Sequence, residues 1–228
     1  MQEFLELGLI GKMGLGEEQT ALFLAGALCV IVSYLLGSIN FAVIFSKLFF
    51  KEDVREHGSG NAGSTNMLRT YGLKAALLTF VCDFFKSIIA CCIGLVVMPY
   101  HLGFVSICGL CAMIGHAFPI FYGFKGGKCV ASLAGVLLVV NPLVWVLLML
   151  IFVFTVTLTK FVSLGSVICA LCIPILNIMI AFPVTPPPPA EIICTALMAV
   201  LVVFLHRKNI VRLWTGTESK ILFKSKKS

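Results

Sequence analysis

"CVASLAGVLLVVNPLVWVLLMLIFVFTVTLT", residues 129 to 159, runs for 31 residues without an Asp, Glu, Lys or Arg, and its reading sets how often the chain crosses a membrane. A single helix kinked at Asn141-Pro142 crosses once; a tight hairpin turning there crosses and returns. Charge decides between them, because Lys and Arg collect on the cytoplasmic side of membrane proteins. One span would separate Lys125 and Lys128 from Lys160, whereas a hairpin keeps all three on one face. The hairpin is therefore adopted.

Working outward, the same logic applies to the other charge-free runs, 21–46, 87–124 and 161–190, since a membrane helix needs only about 20 apolar residues. The mean hydropathy is +1.07, with 60% apolar and 12% charged residues, against about a quarter charged in a soluble domain. Composition thus excludes an ordinary soluble domain. Breaks at 51–72, 98–103, 119–128, 141–142, 159–163 and 183–189 divide the chain into seven helices. The expected fold is an all-α integral membrane protein, a seven-transmembrane-helix bundle forming one membrane domain over 1–228 with its functional loops on the cytoplasmic face.

Seven spans place the N-terminus, including the segment 1–20, outside, and 47–74, 119–130, 159–163 and 207–228 in the cytoplasm. Of the 17 Lys and Arg, Lys12 then lies outside and Lys86 within a span, leaving fifteen on the cytoplasmic side. The net charge of +7 belongs to one membrane face, where the basic tail 207–228 suits anionic lipid heads; no motif points to nucleic acid. "MQEFLELGLIGKMGLGEEQT" carries four glutamates and no basic leader, so the first span reads as retained and not as a signal peptide. The ten cysteines sit almost entirely within apolar runs without metal-ligand spacing, as small apolar side chains.

Three polar segments interrupt this background on the cytoplasmic side. "HGSGNAGSTNMLR" (57–69) gathers glycines, whose freedom lets successive N–H groups converge on an anion, with Ser59, Asn61, Thr65 and Asn66 as side-chain donors and Arg69 as a fork suited to phosphate. "GHAFPIFYGFKGGKCVAS" (115–132) sets Lys125 and Lys128 around Gly126-Gly127 just before a helix, where helix N-termini attract anions. Its spacing is not that of a Walker loop. "HRKNIVRLWTGTESK" (206–220) puts His206, Asn209 and Arg212 at i, i+3, i+6, and Glu218 follows a glycine turn. Inside the second span Asp83 and Lys86, three apart, either pair with each other or turn into the bundle toward this site.

In this order between spans, "GSGNAGSTNMLRTYG", "GHAFPIFYGFKGGK" and "HRKNIVRLWTGTESK" resemble the motifs of the acyl-phosphate:glycerol-3-phosphate acyltransferases, the bacterial PlsY family. "YLLGSINFAVIFSKL" and "DFFK" fit as well, so the resemblance covers about residues 25 to 220. It implies a multi-pass enzyme of the bacterial cytoplasmic (inner) membrane. Such an enzyme transfers an acyl group from acyl phosphate to the 1-hydroxyl of sn-glycerol 3-phosphate, giving lysophosphatidic acid and phosphate, without cofactor or metal and in functional linkage with the enzyme that makes acyl phosphate. Carried over position by position, it implies catalytic roles for Ser59, Arg69, His206, Asn209 and Glu218. Phosphate binding falls to Asn61, Thr65, Asn66, His116, Lys125, Gly126, Gly127 and Lys128. The chain departs from the family pattern at Asn40, where proline is usual, at Ser64 for alanine and at Cys129 for glycine.

The chemistry agrees with the residues present. Acyl phosphate is an activated anhydride, so positioning and stabilisation of negative charge are the main requirements. The hydroxyl proton could pass to His206, His116 or a substrate phosphate oxygen, with His206 favoured. A His-x-x-x-x-Asp acyltransferase is excluded, because the fifth residue after each of the four histidines is never Asp. A CDP-alcohol phosphotransferase needs more aspartates than Asp53 and Asp83. The alternative from another class is a phosphate or organic-anion transporter presenting half-helix N-termini; one-sided clustering of the polar motifs weighs against it.

Overall fold

The computed structural model describes residues 19–99, 101–181 and 187–221; the N-terminal segment and the end of the basic tail lie outside them. The described regular structure is entirely helical. Helix α1 (Gln19–Ser38) breaks at Ile39 and restarts as α2 (Phe41–Phe45), capped by the Asn40 side chain, which accepts from Val43 N at 3.1 Å. Asn40 is thus an N-cap. A π turn, Ser46–Phe50, closes this first span. Then follow α3 (Ser64–Tyr71), α4 (Leu73–Val97), α5 (Leu102–Ala117), α6 (Val130–Val140), α7 (Pro142–Thr159), α8 (Val162–Leu176), α9 (Pro189–Leu205) and α10 (Arg207–Trp214).

The break at 141–142 is real and is built by the two residues that announce it. Asn141 Oδ1 accepts from Val144 N at 3.2 Å, and Pro142 opens α7, where its missing N–H costs nothing. The far ends of α6 and α7 return to the same face: Lys128, before α6, bonds Asn209, while the Lys160 carbonyl, after α7, accepts from Ile221 N at 2.8 Å. The arms are unequal, however. Among the described residues, five stretches are long and apolar enough to cross a membrane: Phe23–Phe50, Leu73–Val97, Leu102–Tyr122, Pro142–Thr159 and Val162–Ile180. The pair α9 and α10, bent by 56°, makes a sixth. With 11 residues, α6 rises only about 16 Å against a hydrocarbon core of about 30 Å.

Of the seven expected spans, five or six are membrane-length helices among the described residues, and α6, the shorter apolar helix, is enclosed. Residues 131–137 of α6 are all buried, and the helix packs against α4, α5 and α7. Neighbouring α7 instead exposes Leu143, Leu150, Phe154 and Leu158 outward, as lipid-facing side chains do. Charge counting fixes the sidedness of a segment but not its length, so it cannot tell α6 from a full span. Helices α1 and α5 come into close contact where Gly37 lies against the Ala112 backbone and Gly115 against the Tyr34 backbone. All ten cysteines are free, and six are buried.

Candidate active site

The first polar segment is shaped from within. Asp53 caps a short 3-10 turn, Val54–Glu56, and forks onto Arg55 at 3.0 and 2.8 Å; this bond holds the Asp53 carboxyl at about 2. Arg55 also donates to Tyr122 O at 2.8 Å, tying the first polar segment to the second. Asn66, 1% exposed, donates to Val54 O and His57 O and accepts from Ser59 N, each at 2.9 Å. Gly58 sits at φ 59, and a Cβ there would strike Asn66 Oδ1. Asn66 therefore clamps the loop, with both amide hydrogens and its oxygen committed. Ser59, Asn61, Thr65 and Arg69 border the cavity, joined by Ser64 and Thr65 at the start of α3, where helical amides lack intrahelical partners.

In the second segment α5 ends at Ala117, and the chain folds back upon it. Gly126 N donates to Ala117 O and Gly127 N to His116 O, both at 3.1 Å. A Cβ on Gly126 would strike His116 O, and one on Gly127 would strike His116 Nε2 and come 2.8 Å from Ala62 O. The diglycine exists for close approach, and its amides face carbonyls. They do not line the cavity, and Lys125 is exposed outside it, so three of the four loop residues expected to hold phosphate stand apart. Only Lys128 projects into the cavity. Burial, then the nearby Arg212 charge, lowers its ammonium to about 8. Cys129, with φ 64, takes the left-handed backbone that glycine favours, and its Sγ lies 3.1 Å from Met113 O.

Asp83 and Lys86 do both things expected of them. They pair at 2.8 Å, and Asp83, with His116, borders the cavity, while Lys86 lies behind it. Lys86 Nζ also donates to Ile39 O at 2.6 Å and lies 3.0 Å from His116 Nδ1.

The third segment begins at the bend between α9 and α10. His206 Nδ1 lies 2.8 Å from Val202 O; a carbonyl only accepts, so Nδ1 carries the proton and Nε2 keeps a lone pair. Gly216 turns the chain at φ 70 and brings Glu218 back beneath α10. Glu218 Oε1 accepts from Asn209 Nδ2 at 2.7 Å and Ser163 Oγ at 2.8 Å, and Oε2 accepts from Arg212 Nε at 2.6 Å. Burial alone raises this carboxyl, but the donors outweigh it and hold it below the usual range. Asn209 Oδ1 in turn accepts from Lys128. Glu218 thus borders the cavity and also braces Lys128 through Asn209, and Arg69 joins the segment through Ser219 O at 3.3 Å.

Ten of the thirteen residues expected from the sequence line a single cavity of about 400 Å³: Ser59, Asn61, Thr65, Asn66, Arg69, His116, Lys128, His206, Asn209 and Glu218. Ser163 and Ser166 of α8 escaped sequence reasoning. The available signal was two hydroxyls three residues apart at the start of a span, beside the Lys160 break. The other wall is apolar, from Leu73, Leu77 and Phe80 of α4, Phe152 of α7 and Val162 of α8. Phosphate-sized polarity and an alkyl-compatible surface therefore share one space.

Known proteins resemble both the sequence and this architecture. A family profile described as glycerol-3-phosphate acyltransferase matches residues 27–216. Glycerol-3-phosphate acyltransferase 2 of Bacillus anthracis is 40% identical over 195 residues, covering 86% of this chain and 98% of the relative. A glycerol-3-phosphate acyltransferase of Halalkalibacterium halodurans is 42% identical over 201 residues, covering 86% and 95%. Among solved structures, PlsY (YgiH), an integral membrane glycerol 3-phosphate acyltransferase, in its glycerol 3-phosphate form superposes with a TM-score of 0.80 at 34% identity, covering 86% of this chain and 96% of that one. Its lysophosphatidic acid form gives 0.77 at 32% identity, covering 86% and 95%.

Proposed function

The chain belongs to the glycerol-3-phosphate acyltransferase family, and on that premise we propose that its cavity transfers an acyl group from acyl phosphate to the 1-hydroxyl of sn-glycerol 3-phosphate. The hydroxyl oxygen bonds to the acyl carbon, the anhydride C–O bond breaks, and inorganic phosphate leaves as lysophosphatidic acid forms. One observation carries the reading: three polar segments far apart in sequence meet in one cavity whose opposite wall is apolar. Both substrates bear phosphate, and one bears an alkyl chain. The transporter alternative is set aside, because these groups gather at helix ends and because the relatives named above are acyltransferases.

In this reading Lys128 and Arg69 neutralise phosphate together with Ser59, Asn61, Thr65 and the first amides of α3. Asn66, Asn209 and Glu218 hold these groups in place. His206 Nε2, with its lone pair free, accepts the hydroxyl proton unless a substrate phosphate oxygen takes it. No acyl-enzyme is required, since alignment alone supplies on the order of 7–11 kcal/mol. Purified protein supplied with glycerol 3-phosphate and, in parallel, acyl phosphate, acyl-CoA or acyl carrier protein tests the donor: lysophosphatidic acid is expected from acyl phosphate. Formation only from a thioester would overturn the donor assignment, and none from any donor would overturn the activity. Supply of the donor falls to a reaction that makes acyl phosphate in the same cell.

The titration of Lys128 gives this site a pH signature. The ammonium is charged below about 8, so the KM for glycerol 3-phosphate should stay low there and rise as pH climbs through that value, by up to about tenfold per unit. The substrate's own phosphate ionisation, at about 6, is complete by then and cannot produce the limb. Initial rates between pH 6.5 and 10 would show it, and Lys128→Arg should move it beyond the measured range. A flat KM in the wild type would remove Lys128 from phosphate binding.

The proposed setting is the bacterial inner membrane, with the cavity on the cytoplasmic face and the N-terminus outside. A reporter fused after Ser228 should then read cytoplasmic and one placed before Gln2 extracytoplasmic, an odd number of crossings separating them. Both on one side would mean that the short α6 and its hairpin do not add a full pair of crossings.

A further inference from the structure

Asp83 and Lys86 are each only 1–2% exposed, and neither role above explains why so costly a pair is kept inside a helix bundle. The geometry around Lys86 points to a purpose. Its ammonium has three N–H bonds and three acceptors within reach: Asp83 Oδ1 at 2.8 Å, Ile39 O at 2.6 Å and His116 Nδ1 at 3.0 Å. An ammonium can only donate. A proton on Nδ1 would have Asp83 Oδ1 at 3.4 Å to donate to but would face the ammonium at 3.0 Å; the shorter contact favours a lone pair on Nδ1 and, in the neutral ring, the hydrogen on Nε2. A doubly protonated ring would set a second cation 3.0 Å from Lys86 with a single carboxylate between them. The opposite edge of the imidazole, bearing Nε2, packs against Gly127, and the His116 ring itself borders the cavity.

His206 shows the reverse arrangement, with Nδ1–H spent on Val202 O. The cavity thus holds one histidine fixed as donor and one fixed as acceptor. We propose that the buried Asp83–Lys86 pair is a positioning element that locks His116 in the Nε2–H form, so that it donates a hydrogen bond to a phosphate oxygen of the substrate. This rests on the cavity being the acyl-transfer site. Lys86 lies outside the cavity lining and Asp83 borders it; both act through His116, much as carboxylates fix the tautomer of functional histidines elsewhere.

The test separates the lock from its use. The chain has only four histidines, so the ring nitrogens of ¹⁵N-histidine protein in detergent or lipid can be assigned with His116→Gln. His116 should show a bare Nδ1 and a protonated Nε2, and His206 the opposite pattern. Because Lys86→Met alone strands a buried carboxylate and risks unfolding, the main variant is Asp83→Asn with Lys86→Met, which removes both charges together. In that variant His116 should lose its single tautomer. The KM for glycerol 3-phosphate should rise by about tenfold or more, the usual scale for one hydrogen bond to a charged group, and His116→Gln should act alike. A rise for acyl phosphate instead would assign the same donor to the other substrate's phosphate. A protonated Nδ1 in the wild type, or an unchanged His116 spectrum in the double variant, overturns the lock. A lost tautomer with unchanged KM for both substrates overturns the donation to phosphate. An inactive wild type with the expected spectrum would count against the acyl-transfer reading alone.

Discussion

Arg69→Lys and Ser59→Ala are each expected to leave the protein inserted and folded while lowering kcat by roughly 10²–10³, the cost of removing one preorganised donor from a charge-stabilising site. Both side chains are exposed at the cavity rim, so neither supports the core. Arg69 reaches Ser219 O at 3.3 Å with one guanidinium nitrogen, leaving the rest of the fork for a phosphate. A lysine keeps the charge but offers a point, not a planar pair of donors. Surface substitutions without such a role shift stability by no more than about 0.5 kcal/mol and leave rates alone. Acyl transfer per unit of inserted protein, with Thr70→Ala beside the two variants, separates the cases. Near-wild-type rates in both would reduce the loop 57–69 to a connector and leave the chemistry to Lys128, His206 and their supports.

What the sequence made legible depended on contrast. Ser59, Asn61, Arg69, Lys128 and His206 stand out because polar and charged residues are rare in this chain, and rarity at helix ends carries information. The hairpin at Asn141-Pro142 followed from the sidedness of Lys125, Lys128 and Lys160, and the fold keeps those ends together. Hydrogen-bond direction was not legible. Asn66 reads as a donor waiting for phosphate, yet both its amide hydrogens go to Val54 and His57 carbonyls. Gly126 and Gly127 read as an open cradle, yet their amides close onto α5. Nothing in a glycine says which way its N–H points. Ser163 stayed hidden for the converse reason: in a membrane helix a serine is also an ordinary small packing residue, and only the return of Glu218 across the fold shows that its hydroxyl donates to a carboxylate.

That closed diglycine leads to the second large effect. Gly127→Ala is expected to lower kcat/KM by on the order of 10² or more, although Gly127 touches no substrate, because displacing reacting groups by about 1 Å costs about that much. The added methyl would occupy the place of His116 Nε2 and press against Ala62 O at 2.8 Å. His116 cannot swing away freely, since Lys86 holds its other nitrogen, and the loop cannot retreat without breaking the bond from Gly127 N to His116 O. Strain must pass either to the imidazole or to Lys128, the next residue in the chain. Overpacking of this kind costs about 1–3 kcal/mol of stability, so inserted yield and thermal stability must be measured alongside the rate. Gly26→Ala is a suitable companion, because a methyl there meets Met98 and Phe104 side chains at 3.4 Å or more and lies far along the chain from every cavity residue. The companion should behave as wild type. If Gly127→Ala did so too, the tight seating of His116 against the diglycine would be irrelevant to transfer, and the second polar segment would contribute only the charge of Lys128.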